Sequence, residues 1–295
     1  MLCSMIVNGQ PLPAEQSHVV VPWWSFTKPV LAAAALTLVR DGLVQLDEPL
    51  EDAQFTLRQL LKHQAGLADY SELKAYHAAV TDGQTPWPAD EMMQRLDASR
   101  LRYTPGAGWR YSNVGYMLVA RLIERVTGLC IDDALTQRVF IPLDVTGVQF
   151  ANKPEDLADV YPPAIASYNP GWVYHGLLVG PLSQATRLLN RLLTEGLLPD
   201  SLLQEMQESF ALGGPISGRP WAAPGYGLGL MIGKTNSGHL LVGHTGVGPG
   251  GVIAVYYCSN GSNQATCSVF AKGNDEGQVE TQALDRLIAA VGPCQ

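Results

Sequence analysis

Ser25-Phe26-Thr27-Lys28 is the stretch on which the reading of this chain turns. It stands where an apolar run, Val19 to Trp24, gives way to an alanine- and leucine-rich one, Pro29 to Val39. Ala32 to Ala35 are strong helix formers and no glycine interrupts before Gly42. A helix is therefore expected from near Ser25 to Asp41-Gly42. In such a helix Lys28 lies about one turn from Ser25, on the same face. An ordinary serine is a poor nucleophile, and a neighbouring amine helps to remove its proton. The helix N-terminus also offers free N–H groups to a developing oxyanion. Serine is equally a preferred helix N-cap. A second S-x-x-K, Ser71-Glu72-Leu73-Lys74, follows a loop-like stretch and leads into no long apolar helix. Taken alone, the tetrapeptide leaves cap and nucleophile both open.

The chain of 295 residues is 46% hydrophobic and 16% charged, a globular composition with enough apolar residues for a sizeable core. A net charge of −8 without a basic run or a basic–aromatic patch argues against nucleic acid as a partner. No stretch approaches about 20 uninterrupted apolar residues, so no transmembrane helix is expected. Met1 to Val7 has no basic segment and only a short apolar one, so it does not read as a signal peptide. A cytoplasmic location is favoured, and a periplasmic one requires a leader ahead of this sequence. Five scattered cysteines without C-x-x-C make no disulfide scaffold. Cys258 and Cys267 flank the turn-like Ser259 to Asn263; in a symmetric hairpin they would face each other, as a disulfide or as two buried thiols. His18, His63, His77, His175 and His239 show no metal-ligand spacing, so neither metal nor cofactor is expected. His63 reads as structural, in a helix-ending turn.

Along the chain, Leu2 to Val7 and His18 to Trp23 read as strands, with Asn8-Gly9 as a turn. Helices are expected after Thr56, over Asp90 to Ala98, Val114 to Val126 and Asp132 to Phe140. Residues 141–178 read as a long proline-, glycine- and aromatic-rich loop region suited to building a substrate site. Ser183 to Leu193 and Ser201 to Met206 are again helical. Tyr226 to Ile232 reads as a strand, Asn236 to Gly238 as a turn, and Val252 to Tyr257 with Ala265 to Ala271 as a strand hairpin. Gln278 to Val291 is a closing helix. The fold class is α+β: an antiparallel sheet built from N- and C-terminal segments and flanked by helices, with a mostly helical middle. The expected division is 1–50 with 213–295 as the sheet domain and 51–212 as the helical domain, the active site between them.

Three motifs occur in order: Ser25-x-x-Lys28, Tyr111-Ser112-Asn113 and His244-Thr245-Gly246. Class A β-lactamases and penicillin-binding proteins carry the related trio S-x-x-K, S-D-N and K-T-G. With tyrosine first in the middle motif, the set resembles the class C β-lactamase, D-alanyl-D-alanine carboxypeptidase and esterase group of penicillin-recognising serine hydrolases. Asp41 to Pro49, Leu57 to Leu67 (LRQLLKHQAGL), Pro105-Gly106 and Tyr226-Gly227-Leu228-Gly229 are similar to the family's intervening segments. The resemblance covers roughly residues 20 to 275. It selects Ser25 over Ser71, and makes Lys234-Thr235-Asn236 a decoy.

The resemblance implies that Ser25 is acylated and that Lys28 holds a charge or shares a proton. Tyr111, its phenolate favoured by the nearby cation, takes the Ser25 proton, passes it to the leaving group and later activates water. Asn113 binds the substrate amide carbonyl, or caps a helix. His244, Thr245 and Gly246 lie on an edge strand beside the site, the glycine admitting substrate backbone. The N–H groups of Val247 and Ser25 form the oxyanion hole. His244 stands where β-lactamases commonly have lysine, and a histidine of pKa about 6.5 binds a substrate carboxylate less firmly. Two further departures are the lead of only 24 residues before Ser25, which allows a smaller or partner-covered sheet, and Trp23-Trp24, which either narrow the site or pack beneath it. The expected function is a serine acyl hydrolase, D-alanyl-D-alanine carboxypeptidase-like with weak β-lactamase activity. The alternatives are a carboxylesterase on small esters, favoured by His244 and the aromatic Trp172 to Tyr174, and a non-catalytic binding protein on the same fold. In each case the partner is a small molecule.

Overall fold

The computed structural model describes residues 1–51 and 53–293; Cys294 lies outside them. The strands are β1 (Leu2–Val7), β2 (Gln10–Pro11), β3 (Val20–Pro22), β4 (Gln149–Ala151), β5 (Leu177–Pro181), β6 (Phe210–Ala211), β7 (Trp221–Tyr226), β8 (Met231–Thr235), β9 (Leu240–Gly248), β10 (Gly251–Ser259) and β11 (Gln264–Ala271). The helices are α1 (Thr27–Arg40), α2 (Leu57–Leu61), α3 (Lys74–Thr81), α4 (Ala89–Arg95), α5 (Asn113–Thr127), α6 (Ile131–Leu135), α7 (Leu182–Thr194), α8 (Asp200–Gln207) and α9 (Glu276–Val291). An eight-stranded antiparallel sheet runs in the order β2-β1-β11-β10-β9-β8-β7-β6. The N-terminal strand β1 thus joins the C-terminal strands, as the α+β reading requires.

Period-two alternation divides the sheet's residues between two cores. Val252, Ala254 and Tyr256 of β10 pack with Val279, Ala283 and Leu287 of α9. Ile253 and Val255 face the other way, into the core that contains α1 and α7. Helix α7 lies within 51–212 yet packs on β1 and β11, where Thr186 and Ser268 share a 2.6 Å hydrogen bond. The sheet's edges are β2 and β6, two residues each. Such short edges expose little unpaired backbone.

Helix α1 is unusual in having no wet face for most of its length. Every residue from Thr27 to Leu38 is buried. A helix enclosed on all sides needs small or apolar residues around its whole circumference, and the alanine run supplies them. At its C-terminal end it stops at Asp41-Gly42, as expected. Thr56 caps α2 in a reciprocal capping box with Gln59. Residue Ser112, not Asn113, caps α5 by accepting from the Gly115 N–H at 3.1 Å.

Three expectations change. The run His18 to Trp23 does not enter the main sheet; β3 pairs with β5 in a separate three-stranded sheet, β3-β5-β4. The N–H of Trp23 donates to Leu178 O, which ties this run to the middle of the chain. Residues 226–232 are not one strand but the reversal between β7 and β8. The alternating glycines of Tyr226-Gly227-Leu228-Gly229 mimic a strand pattern, but Gly229 has φ +80° and the Gly227 N–H donates to Leu230 O across the turn. The β10–β11 hairpin closes symmetrically about residues 260–263, and this register sets Cys258 opposite Ala265 and Cys267 opposite Tyr256. Cys258 and Cys267 therefore do not face each other, and Cys267 Sγ instead lies 3.9 Å from Cys3 Sγ on β1.

The reversal at Gly229 is what presses β7 and β8 onto the nucleophile helix. A Cβ there would lie 2.4 Å from Ala32 Cβ and 3.3 Å from Lys28 O. Left-handed backbone strain adds about 1–3 kcal/mol for a residue with a side chain. Gly229→Ala is expected to destabilise the protein by more than about 2 kcal/mol in equilibrium denaturation, whereas Gly261→Ala, with open space around a loop glycine, is expected to cost less.

Candidate active site

Ser25 sits in a single 3₁₀ turn, Trp24–Phe26, that leads directly into α1. The α-helix begins at Thr27, and Ser25 makes no capping bond. Its backbone is set by Trp24, a bulky residue held at φ +45°, a conformation that persists only where surrounding structure imposes it. The imposing contacts are visible. The Trp24 ring packs edge-on against Tyr168 at 5.6 Å and lies over Gly248. The neighbouring Trp23 packs on Phe26 at 5.5 Å and donates its indole N–H to Gly180 O. Both tryptophans are buried beneath the nucleophile turn, and neither lines the cavity in front of it.

Lys28 is fully buried, and its Nζ is the hub of the site. It lies 3.2 Å from Ser25 Oγ, 2.7 Å from Asn113 Oδ1 and 3.2 Å from His175 Nε2. The rings of Tyr111 and Tyr116 stand 4.8 and 5.6 Å away. Burial lowers the lysine pKa from 10.5 to about 7, with the Asp69 carboxylate pulling the other way. At neutral pH a large share of Lys28 is thus the free amine.

Tyr111 shows the opposite shift. Burial pushes its phenol well above the usual range, only partly offset by a hydrogen bond with Ser25. Loss of hydration, with the Asp69 and Glu276 carboxylates acting in the same direction, favours the neutral phenol over the phenolate. Beneath Tyr111 lies His63, with ring centres 4.3 Å apart. His63 Nδ1 accepts the N–H of Ser112 at 3.1 Å, so this histidine braces the Tyr111-Ser112-Asn113 segment. Its φ of +58° makes the turn that brings it there.

The amide of Asn113 is engaged at both ends. Its Oδ1 accepts from Lys28, and its Nδ2 donates to Asp69 Oδ1 and Oδ2 at 3.2 and 3.1 Å. Asp69 also accepts from the Ser71 hydroxyl at 2.8 Å. Of the two S-x-x-K motifs, Ser25 is therefore the serine beside its lysine, while Ser71 serves Asp69 and Lys74 is exposed. The aspartate itself was not singled out from the sequence. Its place after the LRQLLKHQAGL segment was the available signal.

The third motif lies on β9, which is central and not an edge strand. Its register with β8 ends at Met231–Gly243, so residues 244–248 are free of a partner on that side. Here the Ser25 turn approaches: a Cβ on Gly246 would lie 2.6 Å from Ser25 N and 2.7 Å from Trp23 O. The glycine admits the protein's own nucleophile turn. His244 is buried, accepts or donates at Tyr226 OH (2.9 Å) through Nε2, and contacts Thr245 O (2.6 Å) through Nδ1. Burial, and next the Lys28 charge, lower its pKa to about 3. Both of its nitrogens are engaged within the protein, and burial favours its neutral form. Thr245 points to the opposite face, where Oγ1 donates to Glu280 Oε1 at 2.5 Å. Val247 is 41% exposed and faces the cavity.

The cavity in front of Ser25 has a volume of about 400 Å³. Tyr111, Asn113 and His244 share its wall with Trp109, Trp221 and Ile216, none of which was singled out from the sequence. Asp69 and Glu276 contribute carboxylates and Arg219 a guanidinium. Arg219 is committed to Glu280, with Nε–Oε2 at 2.7 Å, and to Glu276 at 3.4 Å. Trp172 and Tyr174 lie away from this wall; Trp172 packs against Tyr76 and Trp87, and Tyr174 OH donates to Trp87 O. The 141–178 region reaches the site through His175 instead.

A buried amine beside a serine, a tyrosine and a bracing asparagine, at the junction of a central helix and a free strand end, is the arrangement of a penicillin-recognising serine-hydrolase fold. The chain belongs to the beta-lactamase family, whose model matches residues 6–290. It is 27% identical over 269 residues to a D-aminopeptidase of Brucella anthropi, covering 86% of this chain and 48% of that protein. The chain thus spans about half the length of the curated relatives it matches. Among solved structures it is similar to a D-stereospecific amidohydrolase from Streptomyces sp., with TM-score 0.79, 23% identity and 95% and 92% of the two chains covered. The D-amino acid amidase from Ochrobactrum anthropi SV3 superimposes with TM-score 0.77 and 22% identity over 98% and 94%. No helix of the described residues is long and apolar enough to cross a membrane.

The buried lysine makes stability depend on pH. Between about 7 and 10.5 the unfolded chain holds the Lys28 proton while the folded chain has released it. The cost of burying the lysine is therefore full below about pH 7 and vanishes above pH 10.5. Unfolding free energy from this group rises with pH across that window, by up to about 1.4 kcal/mol per unit. In denaturant titrations from pH 7 to 9.5, wild type is expected to gain stability relative to Lys28→Met; parallel curves would show that the lysine titrates normally.

Proposed function

We propose that this chain is a serine acyl hydrolase that forms an acyl-enzyme at Ser25 and acts on small D-aminoacyl amides or esters with a free amine. One observation carries the substrate class: the charge on the cavity wall. Among the described residues lining it, two carboxylates, Asp69 and Glu276, stand against one guanidinium, Arg219, whose bonds go to Glu280 behind the wall and, at 3.4 Å, to Glu276 itself, so the wall keeps a net negative charge. His244 is neutral. Such a wall attracts an ammonium group and gives a substrate carboxylate no partner. That speaks for an aminopeptidase or amidase, and against cleavage beside a terminal carboxylate as in a D-alanyl-D-alanine carboxypeptidase. The names of its relatives, D-aminopeptidase and D-amino acid amidase, agree with this reading. An ester of the same acyl group fits the same wall.

In the proposed reaction Ser25 Oγ attacks the carbonyl carbon while its proton passes to the Lys28 amine. The N–H groups of Ser25 and Val247 hold the oxyanion. The leaving amine departs with the phenol hydrogen of Tyr111, which burial keeps protonated, and Lys28 restores it by turning its third N–H from Ser25 to the phenol. Water then attacks the ester carbonyl, its proton taking the reverse route, and Ser25 regains its hydrogen as the acid leaves.

With D-phenylalanyl p-nitroanilide as substrate, Ser25→Ala is expected to lose turnover. The N-acetylated anilide and a peptide ending in D-Ala-D-Ala are expected to show kcat/KM lower by roughly 10- to 100-fold, the worth of a charge-assisted hydrogen bond. Activity on the free-amine substrate should fall below about pH 7 as Lys28 takes a proton. A preference for the D-Ala-D-Ala peptide would overturn the substrate class. Equal behaviour of wild type and Ser25→Ala on every substrate would overturn the hydrolase reading in favour of a binding protein.

A further inference from the structure

His175 is a buried histidine that the reaction above does not use, yet its Nε2 lies 3.2 Å from Lys28 Nζ. Its Nδ1 lies 3.4 Å from the hydroxyl of Tyr70. We infer that His175 is a positioning residue: with Asn113 it takes up the two hydrogens of the Lys28 amine and so turns the remaining lone pair toward Ser25. This rests on Lys28 being the base for Ser25.

The hydrogen count supports it. A neutral amine has two N–H donors and one lone pair, and Lys28 Nζ has three polar neighbours. Asn113 presents its oxygen, because its Nδ2 is committed to Asp69, and an oxygen only accepts. One N–H is therefore spent on Asn113. If His175 Nε2 carried hydrogen, it would point at the lone pair, and Ser25 would be left to accept the second N–H. A lysine held that way receives no proton from serine. If Nε2 is bare, it accepts the second N–H, and the lone pair faces the Ser25 hydroxyl at 3.2 Å. The Nδ1 hydrogen then has the Tyr70 hydroxyl as its acceptor at 3.4 Å.

The same partners serve the product of proton transfer. The ammonium has three N–H groups; two keep Asn113 and His175, and the third points back to Ser25 Oγ. No neighbour has to turn during the step, which is what preorganisation of a buried site means. The titratable groups facing this pair are few. Lys28 faces Ser25 and the Tyr111 and Tyr116 rings, with Asp69 beyond Asn113. His175 faces Lys28 and Tyr70, and the positive forms of His63 and His244 oppose its protonation. Burial and Lys28 lower its pKa well below the usual range, so it stays a neutral acceptor.

Two variants and one spectrum test this. His175→Leu removes the acceptor while keeping the space apolar, and His175→Gln places a side-chain oxygen at similar reach. Labelling of Ser25 by a fluorophosphonate, followed by mass spectrometry across pH, reads the base without any substrate preference. At pH 8 the Leu variant is expected to label about 30-fold or more slowly, within the usual worth of a positioned base. Its acid limb should shift below that of wild type, because the ammonium has lost an acceptor. The Gln variant should recover to within about 5-fold. On the D-aminoacyl anilide the loss should fall in kcat and not in KM. Long-range ¹H–¹⁵N spectra of the unmodified protein should show His175 protonated at Nδ1 and bare at Nε2, a result that stands whether or not Ser25 labels. Hydrogen on Nε2, a Leu variant labelling within twofold of wild type, or a Gln variant as slow as Leu would each overturn the assignment. Normal labelling with no turnover of the anilide would instead count against the substrate class alone.

Discussion

The structure depends on keeping one amine dry. Lys28 lies in the first turn of a helix that has no solvent face until its last residues, and among the described residues no counter-ion touches its Nζ. Moving its pKa from 10.5 to about 7 corresponds to roughly 5 kcal/mol of disfavoured charge at low pH. The burial of Val30, Leu31, Leu36 and Leu38 in the same helix, at about 1.5–3 kcal/mol each, offsets that cost. The amine in turn gains what an exposed lysine lacks, a free lone pair at neutral pH beside a serine hydroxyl.

Its neighbours arrive from distant parts of the chain. Ser25 precedes the helix, Asn113 begins α5, and His175 closes the long loop region before β5. Behind them stands a second layer whose members never touch Lys28. Asp69 holds the Asn113 amide, Tyr70 meets His175, and His63 supports Tyr111 from below. Adjacent residues Asp69 and Tyr70 thus brace two of the three partners of the amine. On the far side of the sheet, Glu280 collects Thr245, Tyr256, Trp221 and Arg219. That network keeps the free end of β9 in place and uses up the guanidinium that lines the cavity.

Much of this was legible in the residues. Helix α1 and its stop at Gly42, the capping of α2 by Thr56 and the joining of the first strand to the last ones follow local rules of propensity, capping and alternation. The choice of Ser25 over Ser71 came from order: three motifs in sequence inside matching surroundings. Errors arose where two structures share one pattern. Tyr226 to Ile232 alternates like a strand, but its glycines serve a reversal. Cys258 directly precedes the Ser259 to Asn263 turn but Cys267 lies four residues beyond it, so the regular register closed by Asn260 N–H to Asn263 O cannot set them opposite each other.

By itself the sequence determined the family and the pairing of Ser25 with the amine of Lys28, because those depend on a short spacing at one helix start and on motif order. Only the tertiary structure sets the burial that shifts the pKa values of Lys28 and Tyr111 in opposite directions. Whether Lys28 or Tyr111 is the better base depends on how completely each is removed from water, and burial is a property of packing, not of spacing. Likewise packing, and not spacing, sets Tyr226 and the Thr245 carbonyl on the two nitrogens of His244. His175 carried no local signal at all. It became part of the site because a chain segment 147 residues from Lys28 folds back on it.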